Sequence, residues 1–370
     1  MEIEEVRHFD AFLELEPSWS ELLGRSQRNS FFLSHAWFRC CWPDDPDTKP
    51  LILLIREGGR LVGIAPLQLR HTTWRIFPVR MVDLMHNQDS PFADVILART
   101  ESKAVFHAVI EHLVTVSGWH LLSFNKLTQG SETDALLSGL LDTRPHLRTG
   151  DAVSPVLISD GTWSEFWSSR TQRFRKTVRN VINRLERLGQ VSVEDLGSSA
   201  TPTQCLDIFR RVAQRSWKAN LPVSILRNPS VARFFEELTQ TLRARAQLRF
   251  WVLSIDGEPV ATEYHVQDGD AVYALRSDFD ERLRDASPGA YLNYAITRSY
   301  FDEGVRRYEM GPGDAEYKRR WATEETQLDT VWVFNRTPYA RALYQLERRA
   351  VPGLRTARAW LPRFTTRTAL

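Results

Sequence analysis

Apolar and polar residues follow one another in blocks whose period changes along the chain. Residues 11–23 and 31–42 carry apolar side chains at three- and four-residue spacing and predict two helices, parted by the polar segment 24–30. Apolar runs at 51–56 and 61–69 flank Glu57-Gly58-Gly59 and predict a hairpin. A strand is expected over 92–97, then a helix over 104–116 ending at Gly118, a short strand over 119–124 and a short helix over 136–141. Polar and proline residues gather over 144–156, and a domain boundary is expected there.

The second half repeats this grammar. Runs at 247–255 and 258–267 flank Asp256-Gly257, and a third strand, 270–279, follows Asp268-Gly269. A helix over 289–304 and a strand over 307–311 come next. That helix opens at Ser287-Pro288-Gly289-Ala290, with Ser at the N-cap and Pro just inside, and Gly304 stops it. Gly59-Arg60-Leu61-Val62-Gly63 echoes Gly257-Glu258-Pro259-Val260-Ala261, and the helix to Gly118 with the strand after it echoes the helix to Gly304 with its strand. Order and spacing predict a mixed α/β chain made of two copies of one fold, each a mostly antiparallel sheet flanked by helices.

Between the halves, 168–188 keeps an apolar stripe (Phe174, Val178, Val181, Ile182, Leu185, Leu188) under a strongly basic face that includes Arg170, Arg173, Arg175, Lys176 and Arg179. This basic helix reads as a solvated face, or as a clamp for an anionic partner such as acyl-CoA phosphates, a nucleotide sugar or tRNA. Duplex DNA is not expected, because no DNA-binding motif surrounds it.

Composition narrows the rest. The 370 residues suffice for two ordinary cores, and a formal charge of +2 imposes no global field toward nucleic acid or membrane. The acidic start MEIEEVRHFD lacks an apolar signal core, and no run approaches membrane-spanning length, so a cytoplasmic protein is expected. Cys40, Cys41 and Cys205 fit neither a disulfide framework nor a metal site, and no metal is expected.

The open first turn after Ser287 leaves backbone N–H groups and the positive end of the helix dipole free for phosphate, and Arg284 adds a fixed charge. The spacing Arg284-x-x-Ser287-x-Gly289-Ala290 resembles the pyrophosphate loop of the GNAT acyltransferase superfamily, with Ser287 where that loop usually has its first glycine. Gly313-x-x-x-Tyr317-Lys318, following the serine-proline-glycine helix start and the short strand, is similar to the closing signature of one GNAT branch. That branch holds the CelD-type acetyltransferases of polysaccharide synthesis and the Fem-type peptidoglycan aminoacyltransferases. The resemblance spans about residues 31–335. It implies a degenerate GNAT-like domain over 1–155, an acyl-CoA-binding GNAT domain over 156–338, and a terminal helix and tail over 339–370. It also implies direct acyl transfer from acetyl-CoA or another acyl-CoA, as co-substrate, to an amine or hydroxyl of a small polar acceptor. A sugar or an envelope or exopolysaccharide precursor would suit. Fem-type transfer from aminoacyl-tRNA, or a non-catalytic binding or scaffold role, are the alternatives.

Candidate residues follow. Arg284, Ser287, Gly289 and Ala290 would hold the pyrophosphate, and by resemblance the backbone of Ala274, Leu275 and Arg276 would pair with the pantetheine arm. Strand 258–267 alternates so that Glu263 and His265 share a polar face, which is either a general-base pair or a solvent-facing surface. By resemblance Tyr317 would protonate the leaving thiolate, or else it packs on Trp321. Asp314 would cap its helix or orient the acceptor amine. Gly313 would allow close approach of substrate, and Lys318 would bind a phosphate or lie on the surface.

Overall fold

The computed structural model describes residues 1–116, 118–141, 144–313 and 316–350; Asp314 and the expected tail beyond 350 lie outside them. The first half forms strands β1 (Glu2–Val6), β2 (Thr48–Glu57), β3 (Arg60–Trp74), β4 (Phe77–Leu84), β5 (Ile96–Leu97), β6 (Leu121–Thr128) and β7 (His146–Ile158). The second half forms β8 (Val191–Asp195), β9 (Leu248–Ile255), β10 (Glu258–Asp268), β11 (Ala271–Phe279), β12 (Arg307–Glu309) and β13 (Glu324–Phe334). All join one mixed sheet in the order β1-β2-β3-β4-β6-β13-β7-β12-β11-β10-β9-β8, with β5 beside β3.

The two ends of this sheet repeat one plan, as the sequence echo predicts. Strands β1 to β4 run antiparallel, then the helix Ser102–Thr115 crosses to β6, which lies parallel to β4. Strands β8 to β11 do the same, and the helix Pro288–Glu303 crosses to β12, parallel to β11. Both first hairpins close through two-residue turns, Gly58-Gly59 and Asp256-Gly257, with positive φ at all four residues. This is the turn whose twist matches that of paired strands.

At the centre the halves exchange strands. After β6 the chain runs on into β7, which pairs with β12 of the second half; after β12 it returns as β13, which pairs with β6 of the first. β7 and β13 pair with each other from Glu324↔Val156 to Val333↔His146. The boundary expected between residues 155 and 156 falls inside β7. One hydrophobic core also runs across both halves, with the Phe32 ring 4.7 Å from Tyr273 and Trp37 5.5 Å from Phe234.

Several elements differ from the sequence reading. Segment 92–97 gives only the two-residue β5, and 31–42 gives a 3-10 turn, Phe31–Leu33, before the helix His35–Cys40. β7 was unexpected because its first half is polar and exposed and Pro155 interrupts the pattern. The basic helix spans Gln172–Glu186, with Thr171 capping it through Phe174 N–H. Its Val178, Val181 and Leu185 are buried in one cluster with Leu292, Ile296 and Tyr300 of the helix Pro288–Glu303. The basic side chains Arg173, Lys176, Arg179 and Arg187 stay exposed.

Candidate active site

A 3-10 segment, Glu281–Ala286, delivers the chain to Ser287, which adopts the left-handed conformation (φ 60°, ψ 55°) before the helix Pro288–Glu303. A residue with a Cβ pays about 1–2 kcal/mol for that conformation, whereas glycine does not. This is the position where the resembling loop carries glycine. Contrary to the N-cap expectation, the Ser287 side chain caps nothing; its Oγ only approaches the Arg284 carbonyl, at 3.5 Å. Pro288 has no N–H, and the Ala290 and Tyr291 N–H groups return to the Ser287 carbonyl at 3.0 and 3.3 Å. Among the described residues Gly289 N–H is therefore the open donor of the first turn. A Cβ there would meet nothing nearer than Phe279 Cδ1 at 4.0 Å, so an approaching group has room. Arg284, ion-paired with Glu281, keeps 64% of its side chain exposed. Arg284, Ser287, Gly289 and Ala290 line one wall of a cavity of about 410 Å³, and Ser216, Trp217 and Lys218 line another.

A second, smaller cavity of about 130 Å³ opens beside β11. β11 pairs with β12 only from Ala271 to Tyr273, and beyond that point the two strands part. Gly311 marks the parting: its φ is 79°, and a Cβ on it would sit 2.7 Å from the Ala274 carbonyl oxygen. Ala274, Leu275 and Arg276 line this smaller cavity together with Gln88 and Asp89 from the first half and Lys318 from the second. The Arg276 guanidinium is already committed, with both Asp89 oxygens at 2.8 Å and the Val223 carbonyl at 2.8 Å. Its contribution to a ligand is thus through its backbone.

The two cavities meet at Glu263, Ser277 and Tyr317, which line both. Alternation along β10 sends Tyr264 toward Phe209 and Phe235, while Glu263 and His265 point to the opposite face, under the helix Pro288–Glu303. Neither is solvent-facing: Glu263 is 7% exposed and His265 0%. His265 Nε2 lies 2.9 Å from Glu263 Oε2, its Nδ1 lies 2.7 Å from the Tyr300 hydroxyl, and Trp251 Nε1–H donates to that hydroxyl at 3.0 Å. Tyr308 O–H reaches Glu263 Oε2 at 3.4 Å. His265 therefore stands behind Glu263 rather than on a cavity wall.

Tyr317 is 45% exposed as a residue, yet its hydroxyl sits among protein atoms. Burial first, and the Glu263 carboxylate second, push its pKa above that of an ordinary phenol, so it holds its proton. Lys318 donates to the Gly311 carbonyl at 3.3 Å, and burial lowers its pKa, with Glu263 opposing. Gly313 lines neither cavity; its N–H donates to the Val153 carbonyl at 3.0 Å. Sequence reasoning missed the Ser216–Lys218 wall, the Gln88-Asp89 pair and the Trp251–Tyr300 support. All three are non-local, and no periodic or turn signal in the sequence marks them.

Residues 172–319 match the family model of the acetyltransferase (GNAT) domain. No curated protein matches the chain. Among solved structures it is similar to that of FemX, with 12% identity, a TM-score of 0.58, and 94% of this chain and 99% of the other covered. It is also similar to a protein of unknown function from Bacteroides thetaiotaomicron, at 15% identity and a TM-score of 0.55, covering 90% of this chain and 100% of the other. The structure of L-PGS from Bacillus licheniformis follows at 12% identity and a TM-score of 0.54, covering 94% of this chain and 98% of the other. At such identities these neighbours speak for the fold alone, and the family match covers the segment that holds the helix Pro288–Glu303 and the residues around Glu263. Residues 172–319 thus carry a domain of the acetyltransferase (GNAT) type, within a chain whose fold is similar to that of FemX.

Proposed function

We propose that this chain moves an acetyl or other acyl group from acyl-CoA to an amine or hydroxyl of a small polar acceptor, such as a sugar of an envelope or exopolysaccharide precursor. The observation that carries the reading is the junction of the two cavities at Glu263 and Tyr317. The residues present suit the donor. Gly289 N–H and Arg284 would hold the pyrophosphate, Ser287 and Ala290 shape the turn around it, and the open edge of β11 at Ala274–Arg276 would lie along the pantetheine arm. Bound acyl-CoA supplies the electrophilic carbon. Glu263 Oε1 takes the proton of the attacking amine, and the amine nitrogen forms the new bond as the C–S bond breaks. Tyr317 O–H supplies the proton for the departing sulfur. His265 supports Glu263 from behind. Lys318 faces the acceptor, Gly313 sets the backbone path into that loop, and Asp314 is a candidate to orient the acceptor amine.

One donor per chain is expected. The helix of the first half that corresponds to Pro288–Glu303 has Glu101 as its N-cap residue, and a carboxylate next to that first turn disfavours a second anion there. A second reading keeps the fold and takes aminoacyl-tRNA as donor; the exposed basic face of Gln172–Glu186 favours it.

Calorimetry with acetyl-CoA, CoA and tRNA separates the two. The first reading expects one CoA per chain. It also expects Tyr317→Phe to lower release of free CoA thiol about 100-fold with CoA affinity unchanged. Binding of tRNA without CoA would replace it with the second.

A further inference from the structure

We propose that Tyr300, backed by Trp251, is a positioning residue that keeps His265 neutral with its proton on Nε2 and thereby holds Glu263 ready as a base. The proposal rests on the reading of Glu263 as the base.

The order of donors decides it. An indole N–H can only donate, so Trp251 gives its proton to the Tyr300 oxygen. Among the described residues the Tyr300 hydroxyl has one further partner, His265 Nδ1. Its own proton therefore points at Nδ1; turned elsewhere, a fully buried O–H would be left unpaired. With Nδ1 accepting, a neutral ring carries its proton on Nε2, and that proton faces Glu263 Oε2. Tyr308 O–H shares the same carboxylate oxygen. Oε1 has no partner among the described residues and is left to the cavities.

The alternative is an imidazolium. Both ring nitrogens would then donate, the Tyr300 proton would lose its acceptor, and Glu263 would be tied into an ion pair that weakens it as a base.

The other groups facing this pair bear on the same choice. From β9, the Arg249 guanidinium lies 5.4 and 5.3 Å from the Trp251 and Tyr300 ring centroids, itself paired with Asp195 and Glu303. From the segment after Gly313, Lys318 and Tyr317 face Glu263, and Lys218, near Asp278, acts on Lys318 from beyond. From β12 comes Tyr308, and the next carboxylate on that strand, Glu309, is paired with Arg307.

The spectroscopic part of the test needs no acceptor. Histidine is labelled with nitrogen-15 in the full chain, and two-bond nitrogen–proton spectra are followed with pH. The His265→Gln spectrum assigns one of the nine histidines. The wild type is expected to show the Nε2–H tautomer at pH 7. Tyr300→Phe keeps the ring but removes the hydroxyl that donates to Nδ1, so the His265 signals should move away from the Nε2–H pattern toward the Nδ1–H or doubly protonated one. Because a protonated His265 would tie up Glu263, the acid limb of acyl-CoA turnover should move to higher pH, and CoA affinity should not change. If Tyr300→Phe does not fold, Trp251→Phe withdraws the donor behind Tyr300 and should shift His265 in the same direction. An Nδ1–H or doubly protonated His265 in the wild type overturns the proposal. So does an unchanged His265 in a folded Tyr300→Phe chain. Full turnover in Glu263→Gln would instead remove the base reading and leave the tautomer assignment standing.

Discussion

Gly289→Glu should move stability and donor affinity in opposite directions. The position is open, with the nearest atom to an added Cβ at 4.0 Å, so no clash opposes the substitution. It lies in the first turn of a 16-residue helix. Replacing glycine by a better helix former gains roughly 0.5–1 kcal/mol, and a carboxylate at a helix N-terminus gains about 0.3–1 kcal/mol more. The folded chain should therefore become about 1 kcal/mol more stable. The same carboxylate would stand where the pyrophosphate is expected. Two unit charges about 5 Å apart repel by roughly 3 kcal/mol at an effective dielectric of about 20. Solvent at the mouth and the exposed Arg284 would absorb about half of this, leaving a loss of CoA affinity of at least about tenfold. Calorimetry with CoA, paired with thermal melts, reads both signs. Acetyl-pantetheine, which lacks the pyrophosphate, should bind the variant and the wild type alike. Raising the salt should narrow the CoA difference, because the screening length is about 10 Å at 0.1 M. A folded variant with unchanged CoA affinity would refute the reasoning and move the donor phosphates elsewhere.

Two further outcomes are expected. Ser287→Gly relieves the left-handed strain of roughly 1–2 kcal/mol and returns about 0.5–1 kcal/mol through the looser unfolded chain, so urea denaturation should show a net gain of about 0.5–1 kcal/mol. A destabilised variant would mean that the Ser287 hydroxyl has a partner the present geometry does not show. Burial lowers the His86 pKa from its ordinary 6.5 to about 4, although its Nδ1–H donates to the Leu84 carbonyl. The unfolded chain then protonates first, so this residue's contribution to stability is complete above pH 6.5 and is lost as pH falls toward 4. His86→Gln should shrink the fall in unfolding free energy between those pH values by up to about 3 kcal/mol, and an unchanged slope would show that another group sets it.

The turn before the helix Pro288–Glu303, where we propose the donor binds, was legible because its marks are local. Arg284, Ser287 and Gly289 lie within one turn of chain, and proline, glycine and a following apolar period mark such a turn directly. The period-two reading of β10 likewise put Glu263 and His265 on one face. It could not show that one of them reaches the cavities while the other stands behind it, because that depends on Tyr300, thirty-five residues on from His265. The wall of the smaller cavity was less visible still. Asp89 meets Arg276 across 187 residues, and the loop that carries Asp89 is pinned by Lys126 Nζ, which donates to the carbonyls of Asn87, Gln88 and Ser90. Pairing partners of this kind leave no periodic trace. The same holds for β7 and β13, whose half-polar sequences suit a strand only because each finds the other.

The exchange of β7 and β13 bears on how ligands get in. Two-domain proteins commonly admit substrate by swinging on a hinge. Here the ladder from Glu324 to Val333 against His146 to Val156 passes continuously between the halves, and the Asp89–Arg276 pair and a shared apolar core cross the same divide. Swinging the halves apart would shear that ladder, so the smaller cavity, walled by residues of both halves, keeps its width as the protein breathes. Entry then falls to side chains at the mouths, where Trp217, 53% exposed, lines the larger cavity and Tyr317 lines both. Acceptor choice would accordingly be made at a rigid aperture, and widening it would take substitution of wall residues such as Gln88 rather than loosening of a linker.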